Sequence, residues 1–127
     1  MSIYIEGGQI HIAAWNYAEE NWGYKEVTAA INADEFYTAT LILDGVQNET
    51  GTLEGFLNGF SVGTANNVGL LYNHPGAVGV GELVNGAVFG GVADGGNNIY
   101  EFGGTIERIA QYNDALEGLN LLNLHST

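Results

Sequence analysis

The chain has 127 residues, no cysteine, and 15 Asp and Glu residues against 2 Lys and Arg, which gives a formal net charge of −13. This charge excludes nucleic acid as a partner, because a polyanion is repelled, and the absence of cysteine excludes disulfides and thiolate metal sites. Hydrophobic residues make up 46% and charged residues 13%, which excludes disorder and predicts one folded domain over residues 1–127.

The N-terminal part predicts a hairpin followed by an acidic loop. Residues 3–6 and 9–16 alternate in polarity on either side of Gly7-Gly8, which is typical of two strands joined by a tight turn. We interpret residues 17–26 as a polar surface loop that carries Trp22 and Tyr24.

The central part predicts the interior of a sheet. Residues 26–31 and 36–43 are the next strand candidates, and the second of them is apolar or β-branched on both faces, which favours a strand buried in a sandwich. Residues 52–58 follow as a strand, and Asn58-Gly59 is a strong hairpin turn because both residue types tolerate positive φ.

The C-terminal part predicts short strands and one helical turn. Glycine interrupts the strand candidates 68–72, 76–83 and 87–92, and residues 105–112 form a longer one. Leucines near helical spacing predict a short helix within residues 114–124. The pattern as a whole predicts an all-β antiparallel sandwich with a C-terminal helical turn.

Two segments carry a family resemblance. Residues 40–64 form a strand, turn and strand ending in Asn58-Gly59, and residues 102–116 read Phe-Gly-Gly-Thr-Ile-Glu-Arg-Ile-Ala-Gln-Tyr-Asn-Asp-Ala-Leu. Both resemble laminin-G-like domains of the concanavalin-A-like superfamily, of the kind found in large bacterial secreted adhesins. The resemblance implies a jelly roll and a secreted or cell-surface location. Glu107 and Arg108 depart from the acidic pair of the family pattern, so that pair carries no role over to this chain.

The first hairpin, residues 3–16, is also similar to a hairpin that stands in the middle of that family's domain, after two or three other strands. The resemblance therefore implies a domain that lacks its opening strands. An open sheet edge and an apolar face would then need cover. We expect either a homodimer or a complementing chain segment that completes the sandwich.

Catalytic chemistry is not expected. Glycoside hydrolases of this superfamily need two carboxylates flanking one glycosidic bond, and no Glu-x-Asp-x-x-Glu pattern or equivalent is present. His11, His74 and His125 stand at no metal-ligand spacing, which argues against zinc. No window reaches the roughly 18 apolar residues of a membrane span, so membrane insertion is not expected either.

Calcium is the candidate ion, because it takes six to eight oxygen ligands from carboxylates, amides and carbonyls. The predicted site is one loop with four oxygen-bearing side chains: Asp94, Asn97, Asn98 and Glu101. A second loop offers Asp44, Asn48 and Glu49. The alternative for both loops is ordinary turn chemistry by Asp and Asn.

Carbohydrate binding needs aromatic rings beside polar side chains, because a sugar presents both an apolar C–H face and hydroxyl groups. The predicted ligand-binding residues are Trp22, Tyr24, Tyr72 and Tyr100. Trp15 is a further candidate, but its position at a strand end favours the core. The expected function is a non-catalytic binding or structural module of adhesin type, with a glycan or protein ligand. The alternative is a carbohydrate-binding module attached to an extracellular glycoside hydrolase.

Overall fold

The computed structural model describes residues 1–16, 23–46, 50–71, 79–84, 88–89, 92–93 and 99–115. In these residues the regular elements are β-strands, and every pairing is antiparallel. The chain divides into two compact units, one comprising Met1–Tyr72 with Asp114–Thr127 and the other Asn73–Asn113.

The first unit contains two three-stranded sheets, each a meander of consecutive strands. The first sheet consists of β1 (Ser2–Glu6), β2 (Gln9–Asn16) and β3 (Gly23–Ala30). The second sheet consists of β4 (Ala39–Asp44), β5 (Gly51–Leu57) and β6 (Phe60–Val68). In both sheets the middle strand is the second in sequence.

The second unit contains two short pairs of strands. Its strands are β7 (Glu82–Val84), β8 (Val88–Phe89), β9 (Val92–Ala93) and β10 (Ile99–Glu101). β7 pairs with β10, and β8 pairs with β9. The backbone N–H of Phe102 donates to the carbonyl of Gly81 at 2.7 Å, which continues the β7–β10 pairing by one step.

Two tight turns set the register of the first unit. Gly7 and Gly8 have φ of 58° and 78°, and Asn58 and Gly59 have φ of 53° and 83°. Positive φ at both central residues defines the type I′ turn, whose twist matches that of the strands it joins. Both predicted hairpins are therefore confirmed.

The core of the first unit lies between its two sheets. Ile12 from β2, Leu53 from β5 and Val68 from β6 are fully buried and belong to one hydrophobic cluster. Burial of each such side chain contributes about 1.5–3 kcal/mol. The sheets approach closely at Gly55, where a Cβ atom would lie 2.3 Å from Cγ2 of Val27. The two sheets thus form the predicted all-β antiparallel sandwich.

Several sequence-based predictions differ from the structure, and among them is the strand expected over residues 68–72, since β6 already ends at Val68. The sequence predicts a strand over residues 105–112, but these residues form no regular element, their side chains are exposed and no described strand pairs with them. The strand predicted from residue 36 begins at Ala39, since Asp34 with φ of 62° turns the preceding segment. The predicted acidic loop ends earlier than expected, since β3 already begins at Gly23.

Most of the predicted helix, residues 116–124, lies outside the described residues. No helix in the part of the chain that the structure describes has the length and hydropathy that crossing a membrane requires.

Candidate functional site

The face of the first sheet that points away from the core carries a group of aromatic and polar side chains. Side chains alternate between the two faces of a strand. The alternation that sends Ile12 and Val27 into the core places five other side chains together on the outer face. We call them the aromatic–carboxylate cluster: Tyr4, His11, Trp15, Tyr24 and Glu26.

Strand register brings the members of this cluster side by side. The two-residue turn at Gly7-Gly8 places Tyr4 directly opposite His11. In the next pairing Trp15 lies opposite Tyr24. Ala13, which lies between these pairs and opposite Glu26, is only 1% exposed although it points outward.

One carboxylate oxygen is the centre of the cluster's hydrogen bonds. Glu26 Oε2 accepts from the hydroxyl of Tyr24 at 2.9 Å and lies 3.0 Å from Nδ1 of His11. The hydroxyl of Tyr4 also donates to this oxygen at 3.4 Å and lies 2.8 Å from the hydroxyl of Tyr24. Because Tyr24 gives its one hydroxyl proton to Glu26, the single Tyr4 proton is shared between the Tyr24 hydroxyl and Oε2, and the donors Tyr24 and His11 hold the Glu26 side chain in a fixed position.

Ring contacts align the aromatic members. The Tyr4 and His11 rings stack with centroids 4.6 Å apart and an interplanar angle of 9°. The Trp15 and Tyr24 rings meet edge to face, with centroids 6.3 Å apart and an angle of 69°. Such aromatic pairs contribute about 0.5–1.5 kcal/mol beyond the area they bury, so the cluster is preorganised without a ligand.

The contacts also shift the protonation of two members. Burial opposes ionisation of Glu26, but the hydrogen bonds from His11, Tyr24 and Tyr4 outweigh burial and lower its pKa below the ordinary 4.5. Burial first, and then the hydrogen bonds to Tyr4 and Glu26, raise the pKa of Tyr24 well above its ordinary value. At neutral pH the cluster therefore holds a carboxylate beside a neutral phenol.

The cluster keeps polar atoms for a ligand. The His11 side chain is 14% exposed and that of Glu26 is 32% exposed, so both are accessible from solvent. Within the described chain, neither Nε2 of His11 nor Oε1 of Glu26 makes a hydrogen bond. Half-buried rings beside available polar atoms are the chemistry that a sugar needs.

The same face does not present a hydrolytic carboxylate pair in its described residues. Glu6 is the other carboxylate on the outer face, but it lies four residues along and two strands across from Glu26. At about 3.3 Å per residue and about 4.8 Å per strand, this register separates their backbone positions by roughly 16 Å. Glycosidase carboxyl groups lie about 5–9.5 Å apart.

The predicted ligand-binding residues do not gather in one place. Tyr24 belongs to the cluster, but it stands in β3 and not in the predicted loop. Tyr100 stands in β10 of the second unit, 37% exposed. Trp22 and Tyr72 lie outside the described residues.

The predicted calcium loop is described at one position only. Glu101 is exposed at the end of β10. Asp94, Asn97 and Asn98 lie outside the described residues. Among the residues that the structure does describe, no group of three or more His, Asp or Glu side chains is arranged to hold a metal ion.

Three members of the cluster were missed in the sequence. Sequence patterns single out neither Tyr4 nor Glu26, raise His11 only as a zinc ligand, and place Trp15 in the core, although Trp15 stands half-buried on the outer face. The signal for the first pair was present, because a two-residue turn at Gly7-Gly8 fixes Tyr4 opposite His11. No comparable signal exists for Glu26, since the connection between β2 and β3 is too long to fix a register.

Comparison with known proteins finds no matching family model, no similar curated protein and no similar solved structure. The laminin-G-like resemblance stays a prediction from the sequence.

Proposed function

We propose that this chain is a non-catalytic glycan-binding module of a secreted or cell-surface bacterial protein of adhesin type, and that the aromatic–carboxylate cluster is its binding face. The observation that carries the proposal is the convergence of three aromatic rings and a histidine around one hydrogen-bonded carboxylate on an outward sheet face. The cellular setting is supported by the sequence resemblance.

The side chains of the cluster suit the two surfaces of a sugar. Trp15 and Tyr24 supply apolar ring area for the C–H face of a pyranose. Nε2 of His11 and Oε1 of Glu26 supply hydrogen-bond partners for hydroxyl groups. Because the contacts among Tyr4, His11 and Glu26 already fix these side chains, little side-chain entropy is lost on binding.

The test is a glycan array followed by calorimetry on the glycans that bind. Trp15→Ala removes the largest ring and should weaken binding at least tenfold, as loss of about 1.4 kcal/mol of stacking does. Phe36→Ala is the matched control, since Phe36 is an aromatic residue of the same unit that is 70% exposed and lies outside the cluster. Equal affinity in both variants would contradict the assignment, as would an array on which nothing binds.

The alternative function is a carbohydrate-binding module attached to an extracellular glycoside hydrolase. The same face would then hold the polysaccharide that the hydrolase cleaves. The glycans that bind on the array distinguish the two functions. Binding to polysaccharide substrates of hydrolases supports the hydrolase module, and binding to host-type oligosaccharides supports the adhesin.

Calcium binding is proposed for the loop with Asp94, Asn97, Asn98 and Glu101. The support is compositional, because these side chains supply oxygen ligands in a chain with a net charge of −13. Calorimetry with calcium, against a chelator-treated sample, tests it. Glu101→Gln should weaken a calcium site that uses this carboxylate and should leave glycan binding unchanged.

Self-association through β1 is also proposed. β1 is one of the two edge strands of the first sheet, and its inward-facing residues Ile3 and Ile5 are 45% and 46% exposed. An antiparallel pairing of two copies centred on Tyr4 sets Ile3 of one copy opposite Ile5 of the other, so both sheets extend with their apolar faces on the same side.

Light scattering tests this pairing. A dimer that Ile5→Lys dissociates supports it. A monomeric chain contradicts it, and a monomer that binds an added complementing strand would assign the edge to such a segment instead.

A further inference from the structure

The glycan class is deducible from the charge of the cluster, and this inference rests on the proposed function. We infer that the site takes a glycan with free amino groups, such as a glucosamine oligomer, in preference to N-acetylated or acidic sugars. The juxtaposition that points to it is a carboxylate with one oxygen that accepts no hydrogen bond from the described residues, beside aromatic rings and His11, on a sheet face that carries no Lys or Arg in its described strands.

The carboxylate is available to a cation. The polar atoms of Tyr24, His11 and Tyr4 all lie next to Oε2 of Glu26, and Oε1 accepts no hydrogen bond from the described part of the chain. About a third of the side chain is exposed, so a ligand can reach it. An ammonium group donates up to three hydrogen bonds, and such charge-assisted bonds are roughly twice as strong as neutral ones.

The rings beside the carboxylate favour the same ligand. Trp15 and Tyr24 stand directly opposite each other, and the hydroxyl of Tyr24 touches Glu26. Aromatic rings attract ammonium groups through their quadrupole as well as stacking on sugar C–H groups. An amino sugar offers the rings both an ammonium group and C–H groups, whereas a neutral sugar offers only C–H groups.

Acidic sugars are disfavoured by the surrounding charges. The first sheet has one cationic residue, Lys25, and it alternates with Tyr24 and Glu26 along β3, so it belongs to the opposite face. The outer face carries a second carboxylate, Glu6. A uronic acid at the cluster would meet the Glu26 carboxylate and no Lys or Arg of this sheet face, which costs affinity through like-charge repulsion.

Calorimetry with three oligosaccharides of equal length tests the inference: a glucosamine oligomer, its N-acetylated counterpart and a galacturonic acid oligomer. The glucosamine oligomer should bind about tenfold more tightly than the N-acetylated one, which is the ratio expected for one charge-assisted hydrogen bond. Galacturonic acid should bind most weakly. Equal affinity for the first two oligomers overturns the inference, and because this comparison uses the unmodified chain, it needs no variant to fold.

Two variants separate the site from the general acidity of the chain. Glu26→Gln should abolish the preference for the amino sugar. Glu54→Gln removes the same charge from the second sheet, where Glu54 accepts from Ser61 at 2.6 Å, and should retain the preference. Equal loss in both variants means attraction to the net charge alone and overturns the inference.

The Trp15→Ala variant distinguishes a failure of the proposed function from a failure of the inferred ligand class. If Trp15→Ala leaves binding of every oligomer unchanged, the cluster is not the binding face. If Trp15→Ala abolishes binding, but the unmodified chain binds the glucosamine oligomer and its N-acetylated counterpart equally, the cluster is the binding face and the inferred ligand class is wrong.

Discussion

Gly55→Ala probes the closest approach of the two sheets in the first unit. The added Cβ would lie 2.3 Å from Cγ2 of Val27 and 3.1 Å from Cδ1 of Ile12, whereas carbon atoms pack best at about 3.5–4.0 Å. The sheets must therefore separate by more than about 1 Å or Val27 must leave its position. Overpacking of this kind costs about 1–3 kcal/mol. Alanine recovers about 0.5–1 kcal/mol of backbone entropy, so we expect a net loss of up to about 2.5 kcal/mol.

Urea denaturation of four variants measures this loss. Gly55→Ala should lower the midpoint, and Gly103→Ala, which has open space around its Cβ, should not. Val27→Ala removes the clashing methyl groups, so the double variant should be less destabilised than the sum of the single ones by about 0.5–3 kcal/mol. A Gly55→Ala variant as stable as the unmodified chain, or strictly additive effects, would refute face-to-face packing at Gly55.

Three other expectations follow from single residues. Since hydrogen bonds lower the pKa of Glu26, its contribution to stability is present above about pH 4.5 and lost as the pH falls below it. In the Glu26→Gln variant the free energy of unfolding should fall less as the pH is lowered. An equally steep fall in both chains would contradict the hydrogen-bond network around Glu26. The raised pKa of Tyr24 keeps its phenol un-ionised in moderately alkaline solution, so Tyr24→Phe should leave the tyrosinate absorbance of the chain there unaltered; a fall in that absorbance would contradict it. Gly8→Ala, at φ of 78°, should cost about 1–2 kcal/mol in thermal unfolding, whereas Gly7→Asn should be tolerated because asparagine adopts the first position of type I′ turns.

The hairpins were predictable because their turns are local. Gly7-Gly8 and Asn58-Gly59 each contain the residue types that positive φ requires, so turn type and register follow from a few adjacent residues. Apolar alternation then identifies the buried face of β2 and β5. For these reasons the all-β sandwich is predictable from the sequence.

The strand predicted at residues 105–112 failed for a physical reason. Alternation there is good, but a strand exists only when a neighbour supplies hydrogen-bond partners and buries one face. No described strand pairs with this segment, and its side chains are exposed. Pairing is non-local and cannot be taken from the pattern of one segment.

The binding cluster was only partly predictable for a related reason. Tyr24 was singled out for its aromatic ring, but its neighbours are set by the pairing of β2 with β3, which are separated by residues 17–22. A connection of this length does not fix which residues face each other. The opposition of Trp15 to Tyr24, and the position of Glu26 beside His11, therefore became visible only in the folded sheet.

The most direct test of the binding face is a titration of the ¹⁵N-labelled chain with the tightest-binding oligosaccharide, followed by NMR. The shifts should concentrate on the Trp15 indole N–H, the His11 imidazole and the amides of Tyr24 and Glu26, and should disappear in Trp15→Ala. Saturable shifts confined to the second sheet or to residues 99–112, with the cluster unmoved, would contradict the account.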